Sequence, residues 1–106
     1  MTDQLVRFDK DGFLIDLSSW NRQLSLELAQ SCHIDLSDEH WEIIRILREF
    51  YASTDVSPSM RPFVKLVRDQ CGAQKGNSIN LMRLFGSSPA KTAAKIAGLP
   101  KPTNCL

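Results

Sequence analysis

Apolar and polar positions along this chain change period several times, and each change marks an element. Leu5-Val6-Arg7-Phe8 and Phe13-Leu14-Ile15 flank Asp9-Lys10-Asp11-Gly12, whose Asp-Gly step supplies the positive φ of a tight turn. The pattern predicts a small β-hairpin over about 5–15, resting on helices because an isolated hairpin is marginal in water. Ser18 or Ser19 stands where it can cap a helix from about Trp20 to Gln30, with Leu24 and Leu28 inward. The strongest periodicity follows. Trp41, Ile44, Leu47 and Tyr51 repeat at helical spacing, and Ile43, Ile46 and Phe50 widen the stripe, so this is the central helix, covered on more than one side. Ser37 caps it, with Asp38 and Glu39 in the first turn, where the helix dipole favours negative charge. Its polar remainder, Glu42, Arg45, Arg48 and Glu49, is expected to pair along the surface.

Ser57-Pro58-Ser59 opens the next helix, carried by Phe63, Val64, Leu66 and Val67 to Cys71 and stopped by Gly72. After a loop at Gln74-Lys75-Gly76-Asn77, a short helix spans Ser78 to Phe85 and ends at Gly86. Ser88-Pro89 starts a last one, Ala90 to Ala97, with Gly98 as terminator. Beyond it, Leu99-Pro100-Lys101-Pro102-Thr103-Asn104-Cys105-Leu106 has prolines at alternate positions, which exclude helix and favour an extended, semi-rigid segment. The expected fold class is α+β, mostly α. A single globular domain (1–98), a compact helical bundle with its small N-terminal β-hairpin, carries a mobile C-terminal arm (99–106).

No apolar run approaches the roughly 18 residues of a membrane span. The opening Met1-Thr2-Asp3-Gln4 lacks the basic-then-apolar order of a secretory signal. A soluble, cytoplasmic protein with no membrane partner is expected. Charge is divided unevenly. Residues 1–59 hold 5 Lys/Arg against 11 Asp/Glu, whereas residues 60–106 hold 8 Lys/Arg and a single acid, Asp69. Such a split either offers a basic surface to an anionic partner or lets the two halves neutralise each other across the fold.

Cys105 is the residue whose placement asks for an explanation. The end of a proline-stiffened segment is a poor place to bury a thiol, and an exposed thiol is open to oxidation. Seven residues from Gly98 to Cys105 reach roughly 23 Å when extended. A thiol on such an arm suits the collection of a group from one protein's active site and its presentation in another's. The competing readings are an incidental or dimer-forming cysteine. Lys91, Lys95 and Lys101 lie in the basic half and are candidates for offsetting negative charge at the thiolate or for guiding docking, while the terminal carboxylate opposes them. Cys32 and Cys71 sit at helix ends among apolar residues and read as packing. The three cysteines, with His33 and His40, have no metal-site spacing, so no metal or other cofactor is expected. The helices about 59–71 and 78–85 also allow a helix-turn-helix reading, with Arg61, Lys65, Arg68, Lys75 and Arg83 on phosphates. Ile79, Leu81, Met82, Leu84 and Phe85 make the second helix too apolar to read base edges, and core packing explains them better.

Several landmarks occur in one order: Asp11-Gly12-Phe13-Leu14, Leu36-Ser37-Asp38-Glu39-His40-Trp41-Glu42, and Ser57-Pro58 followed by Arg61 and Val64-Lys65. Lys75-Gly76-Asn77-Ser78, Leu84-Phe85 and Pro89-Ala90-Lys91 come next. The run ends with Lys95-Ile96-Ala97-Gly98-Leu99-Pro100-Lys101-Pro102 and Cys105. In these the chain resembles the TusE/DsrC family of sulfur carriers over nearly its whole length. The resemblance implies that Cys105 accepts sulfane sulfur as a persulfide and hands it on, with no cofactor. Two-cysteine members work with dissimilatory sulfite reductase; their second cysteine falls at Ala94 here, so the chain looks like the single-cysteine, TusE-like branch. The implied partners are a TusBCD-like sulfur donor complex and a MnmA-like tRNA thiouridylase with its tRNA, for wobble 2-thiouridine synthesis. A role elsewhere in sulfur metabolism is the alternative. Ser88 stands where the family often has glycine, and Leu106 where isoleucine or valine is usual.

Overall fold

The computed structural model of the protein describes residues 6–103. Five α-helices follow one another: α1 Arg22–Ser31, α2 Asp38–Thr54, α3 Met60–Cys71, α4 Ser78–Phe85 and α5 Pro89–Ile96. Helix α5 touches each of the other four, so the last helix, only 8 residues long, is the hub on which the bundle closes. Its alanines make this possible: Ala90, Ala93, Ala94 and Ala97 are all buried, and small side chains let neighbouring helices approach closely. Ile43, Ile44, Leu47, Phe63, Val67, Leu81 and Phe85 fill the space around them.

Most helix ends lie where the chain's own punctuation puts them. Ser37 caps α2 through its hydroxyl, and the capping box is completed by His40 rather than by the usual acid or amide. The Ser37 backbone N–H donates to His40 Nδ1 at 3.0 Å. Nδ1 therefore accepts, which leaves Nε2–H to donate to the Leu84 carbonyl at 2.7 Å. That carbonyl is one of the orphans of the last turn of α4, so one imidazole ties the start of α2 to the end of α4. Pro62 falls in the first turn of α3, where no intrahelical N–H is needed. The cap of α1 differs from expectation. Asn21, not Ser18 or Ser19, accepts from the Leu24 N–H at 2.8 Å, while Ser18 lies within a 3₁₀ turn, Leu17–Ser19, capped by Asp16.

The expected hairpin is the main correction. Among the described residues there is no β-strand, only one antiparallel bridge between Phe8 and Leu14. The chain does reverse at Gly12 (φ +86°), and the Asp9 carboxylate accepts from the N–H groups of Asp11 and Phe13. A ladder does not extend, because adjacent Phe13 and Leu14 are both buried, against the in–out alternation of a ribbon. The 3₁₀ turn then bends the chain away only three residues after the bridge. The fold is thus a helical bundle with an N-terminal turn packed on it. No helix among the described residues is long and apolar enough to cross a membrane.

Candidate functional site

The geometry of interest lies where α5 ends. Gly98 adopts φ +72°, its N–H donates to the Lys95 carbonyl, and the Leu99 N–H donates to Ala94. This is a complete Schellman motif, which satisfies the outgoing carbonyls and turns the chain sharply. Two further carbonyls at this terminus take side chains from distant elements. Ser25, fully buried on α1, donates to the Ile96 carbonyl at 2.6 Å, and Trp20 Nε1 in turn donates to Ser25 Oγ at 2.7 Å. Arg48 on α2 donates to the Ala97 carbonyl at 2.6 Å, its guanidinium stacked 3.8 Å from the centre of the Trp20 ring. Burial lowers the Arg48 pKa, but an arginine stays charged, and its cation faces the negative end of the α5 dipole. The Trp20 indole lies so close over Gly98 that a Cβ there would fall 2.3 Å from Trp20 Cδ1.

Past this terminus the chain runs along the body. Leu99 is 2% exposed and Pro102 is buried. Lys101 Nζ stands 3.8 Å from Asp11 Oδ2 in the N-terminal turn. Lys95 reaches the same turn from α5, its Nζ 5.2 Å from the Phe13 ring centre. Lys91 is half-buried on α5 and makes no ion pair among the described residues. Thus Lys95 and Lys101 both converge on the turn over residues 11–13. Cys105 lies outside the described residues.

The other two cysteines sit on the body. Cys71 ends α3 and packs against the core. Burial raises its thiol pKa, and the neighbouring Glu42 carboxylate adds to this. Cys32 follows α1, half-buried. His33 is exposed in a left-handed conformation (φ 61°), closing the end of α1 as Gly98 closes α5. Among the described residues, no three His, Cys, Asp or Glu side chains converge on a point that could hold a metal ion.

The charge split is met in part inside the molecule. Glu39 pairs with Arg83 at 2.9 Å and Glu42 with Lys75 at 3.0 Å, joining the acidic start of α2 to the basic α3–α4 region. Each partner shifts the carboxyl: the Arg83 hydrogen bond holds Glu39 below the usual range, and the Lys75 hydrogen bond does the same for Glu42. On α4, Leu81, Leu84 and Phe85 are core residues, while Ile79 and Met82 face outward. The residue that sequence reasoning placed wrongly is Arg48, expected on the surface beside Glu49. It lies four residues after Ile44 and seven after Trp41, hence on the apolar stripe, and that spacing was the available signal. An open groove of about 1450 Å³ follows α2, with Trp41, Ile44 and Arg45 among its walls, and reaches Trp20 and Arg48 at the α5 terminus.

These features define a small helical domain whose last helix, locked by side chains from α1, α2 and the 3₁₀ turn, continues into a proline-bearing segment seated on the body. The chain belongs to the DsrC-like family: the family model described as "DsrC like protein" matches residues 1–106. It is 46% identical over 101 residues to the "Sulfurtransferase TusE homolog" of Haemophilus influenzae, covering 95% of this chain and 93% of that one. Among solved structures it is similar to Allochromatium vinosum DsrC, at 40% identity and TM-score 0.86, over 95% of this chain and 90% of that one. It also resembles the oxidized gamma-subunit of dissimilatory sulfite reductase (DsrC) from Archaeoglobus fulgidus, at 39% identity and TM-score 0.82, over 95% and 92% respectively.

Proposed function

We propose that the protein is a cytoplasmic sulfur-relay carrier that accepts persulfide sulfur on Cys105 and passes it on, from a TusBCD-like donor complex to a MnmA-like tRNA thiouridylase. The observation that carries this reading is the near-complete alignment with relatives named sulfurtransferase TusE, at 45–46% identity over 101 residues. The chemistry needs a single thiol. The Cys105 thiolate attacks the outer sulfur of the donor's persulfide; a new S–S bond forms on Cys105 and the donor cysteine leaves as its thiolate. An acceptor thiolate then attacks the outer sulfur of the Cys105 persulfide, and Cys105 leaves as thiolate. Electrons balance across the two exchanges, so no external oxidant or reductant enters. The C-terminal segment that begins at Leu99 delivers the sulfur: Leu99 and Pro102 seat its first part on the body, and the reach into a partner's site falls to the residues that follow. Lys95 and Lys101 border its path at the N-terminal turn, and Lys91, Lys95 and Lys101 offset charge at the thiolate or guide docking.

The likeness to a sulfite reductase gamma-subunit favours a second reading, a carrier elsewhere in sulfur metabolism. Ala94, where the two-cysteine members carry their additional thiol, is 1% exposed and offers no sulfur for an internal disulfide. Intact mass measurement after incubation with a persulfide donor tests the carrier. The expected gain is one sulfur atom, abolished in Cys105→Ser and retained in Cys32→Ser and Cys71→Ser; uptake that survives Cys105→Ser refutes the assignment. Transfer of labelled sulfur into tRNA 2-thiouridine through the thiouridylase separates the first pathway from the second.

A further inference from the structure

We propose that the groove along α2 is a docking surface for a protein partner of the relay, and that it takes a segment setting carboxylates beside apolar side chains. The inference deepens the carrier reading and rests on it, since a carrier must hold each partner while sulfur passes. Helix α2 packs on α3 and α5 and leaves one face to the groove. Asp38, Trp41, Glu42, Arg45, Glu49 and Ala52 recur there at helical spacing and form the floor of a space of about 1450 Å³. From Asp38 to Ala52 the floor runs about 21 Å, the length of about four helical turns.

The two walls carry charge differently. On the α3–α4 side Lys75 and Arg83 are already paired with Glu42 and Glu39, and on the floor Arg45 pairs with Glu49. On the opposite side stand Arg22 and Arg48, neither of them in an ion pair among the described residues. Each guanidinium lies over an indole, Arg22 at 3.9 Å from the centre of the Trp41 ring and Arg48 at 3.8 Å from that of Trp20. A guanidinium held on an aromatic face keeps its charge and can still donate to a carboxylate. The chain has two tryptophans, and both line this groove. Tryptophan and arginine are the residues that dominate binding energy where proteins meet. The charge pattern also selects the class of occupant. Asp38, Glu39, Glu42 and Glu49 line the same groove, so a nucleic-acid strand, charged at every nucleotide, would meet carboxylates along its path. A polypeptide can place carboxylates opposite Arg22 and Arg48 alone, and apolar groups against the indoles and Ala52.

The test labels the full chain with fluorotryptophan, so that fluorine NMR shows one signal for each indole; Trp41→Phe assigns them by removing one. The TusBCD-like donor complex, the MnmA-like thiouridylase without tRNA, and tRNA alone are added in turn. The expected result is that the donor complex or the thiouridylase abolishes the light-water to heavy-water isotope shift of the Trp41 signal, which reports contact with solvent, and that tRNA alone leaves it intact. Arg22→Glu should weaken that complex at least about tenfold in Kd by calorimetry, and Arg22→Lys, which keeps the charge, should weaken it less. Glutamate in the first turn of α1 suits the helix dipole, so the thermal midpoint of Arg22→Glu should not fall. Arg61→Glu makes the same charge change on exposed α3 outside the groove and should alter Kd by less than about twofold. A Trp41 signal unaffected by both proteins overturns the proposal, as does unchanged affinity in Arg22→Glu. So do protection by tRNA alone, which makes the groove a nucleic-acid site, and an equal loss in Arg61→Glu, which makes the effect one of net charge. The carrier reading fails separately: no gain of sulfur on Cys105 from a small inorganic polysulfide refutes it, while the fluorine signals, which need no sulfur, still decide whether the groove docks a protein.

Discussion

Gly98 joins a backbone requirement to a packing one. Its φ of +72° lies in the left-handed region, and the Trp20 indole occupies the space a Cβ would need. Gly98→Ala therefore combines a strained backbone with overpacking and should destabilise the protein by at least about 2 kcal/mol, read from urea unfolding. His40 is the corresponding polar keystone. Replacing it with leucine leaves the buried Leu84 carbonyl without its donor and removes half of the capping box, a loss of about 1–3 kcal/mol. Cys71 illustrates the opposite case, a thiol made inert by its setting. Burial and Glu42 both disfavour its thiolate, so alkylation followed by peptide mass mapping at neutral pH should proceed more slowly at Cys71 than with a free thiol, and speed up in Glu42→Gln.

Helix α2 owes its boundaries to short-range chemistry and its placement to long-range contacts. The Ser37 hydroxyl and the acidic first turn define its start, and Ser37→Ala should cost about 1 kcal/mol of stability in a thermal melt. Helices α3, α4 and α5 were equally readable, since Pro58, Gly72, Gly86, Pro89 and Gly98 punctuate them. The N-terminal segment was not. Asp-Gly announced a reversal correctly, but the strands expected on either side depend on how Phe13 and Leu14 meet the bundle, and both are drawn into the core. Alternation counted along the chain assumes one buried face; here the docking surface buries two adjacent residues and the ladder is lost.

Taken as one body, the molecule offsets part of its acidic first half with its basic second half through Glu39–Arg83, Glu42–Lys75 and Asp11–Lys101. The folded-state pKa values of Glu39 and Glu42 lie below their unfolded ones, so their contribution is complete above the usual glutamate value of about 4.3 and fades as the pH falls through the folded values. The urea midpoint should accordingly drop on acidification below that point, and drop less in a Glu39→Gln, Glu42→Gln double variant. The effect should be small, because these side chains are partly exposed and screened by solvent.

Caps, terminators, the apolar stripe of α2 and the ordered landmarks of the family are written in residues within a few positions of one another, and for that reason they could be read from the chain alone. The locked end of α5 could not. Ser25 and Ile96 are 71 residues apart, and Arg48 and Ala97 are 49 apart; whether such groups meet depends on how the helices cross, a property of the packed core rather than of any local run. Arg48 shows the limit most clearly: its spacing marked it for the buried stripe and its charge marked it for the surface. Only the nearby α5 terminus, with a free carbonyl and a negative dipole end, makes the half-buried position favourable.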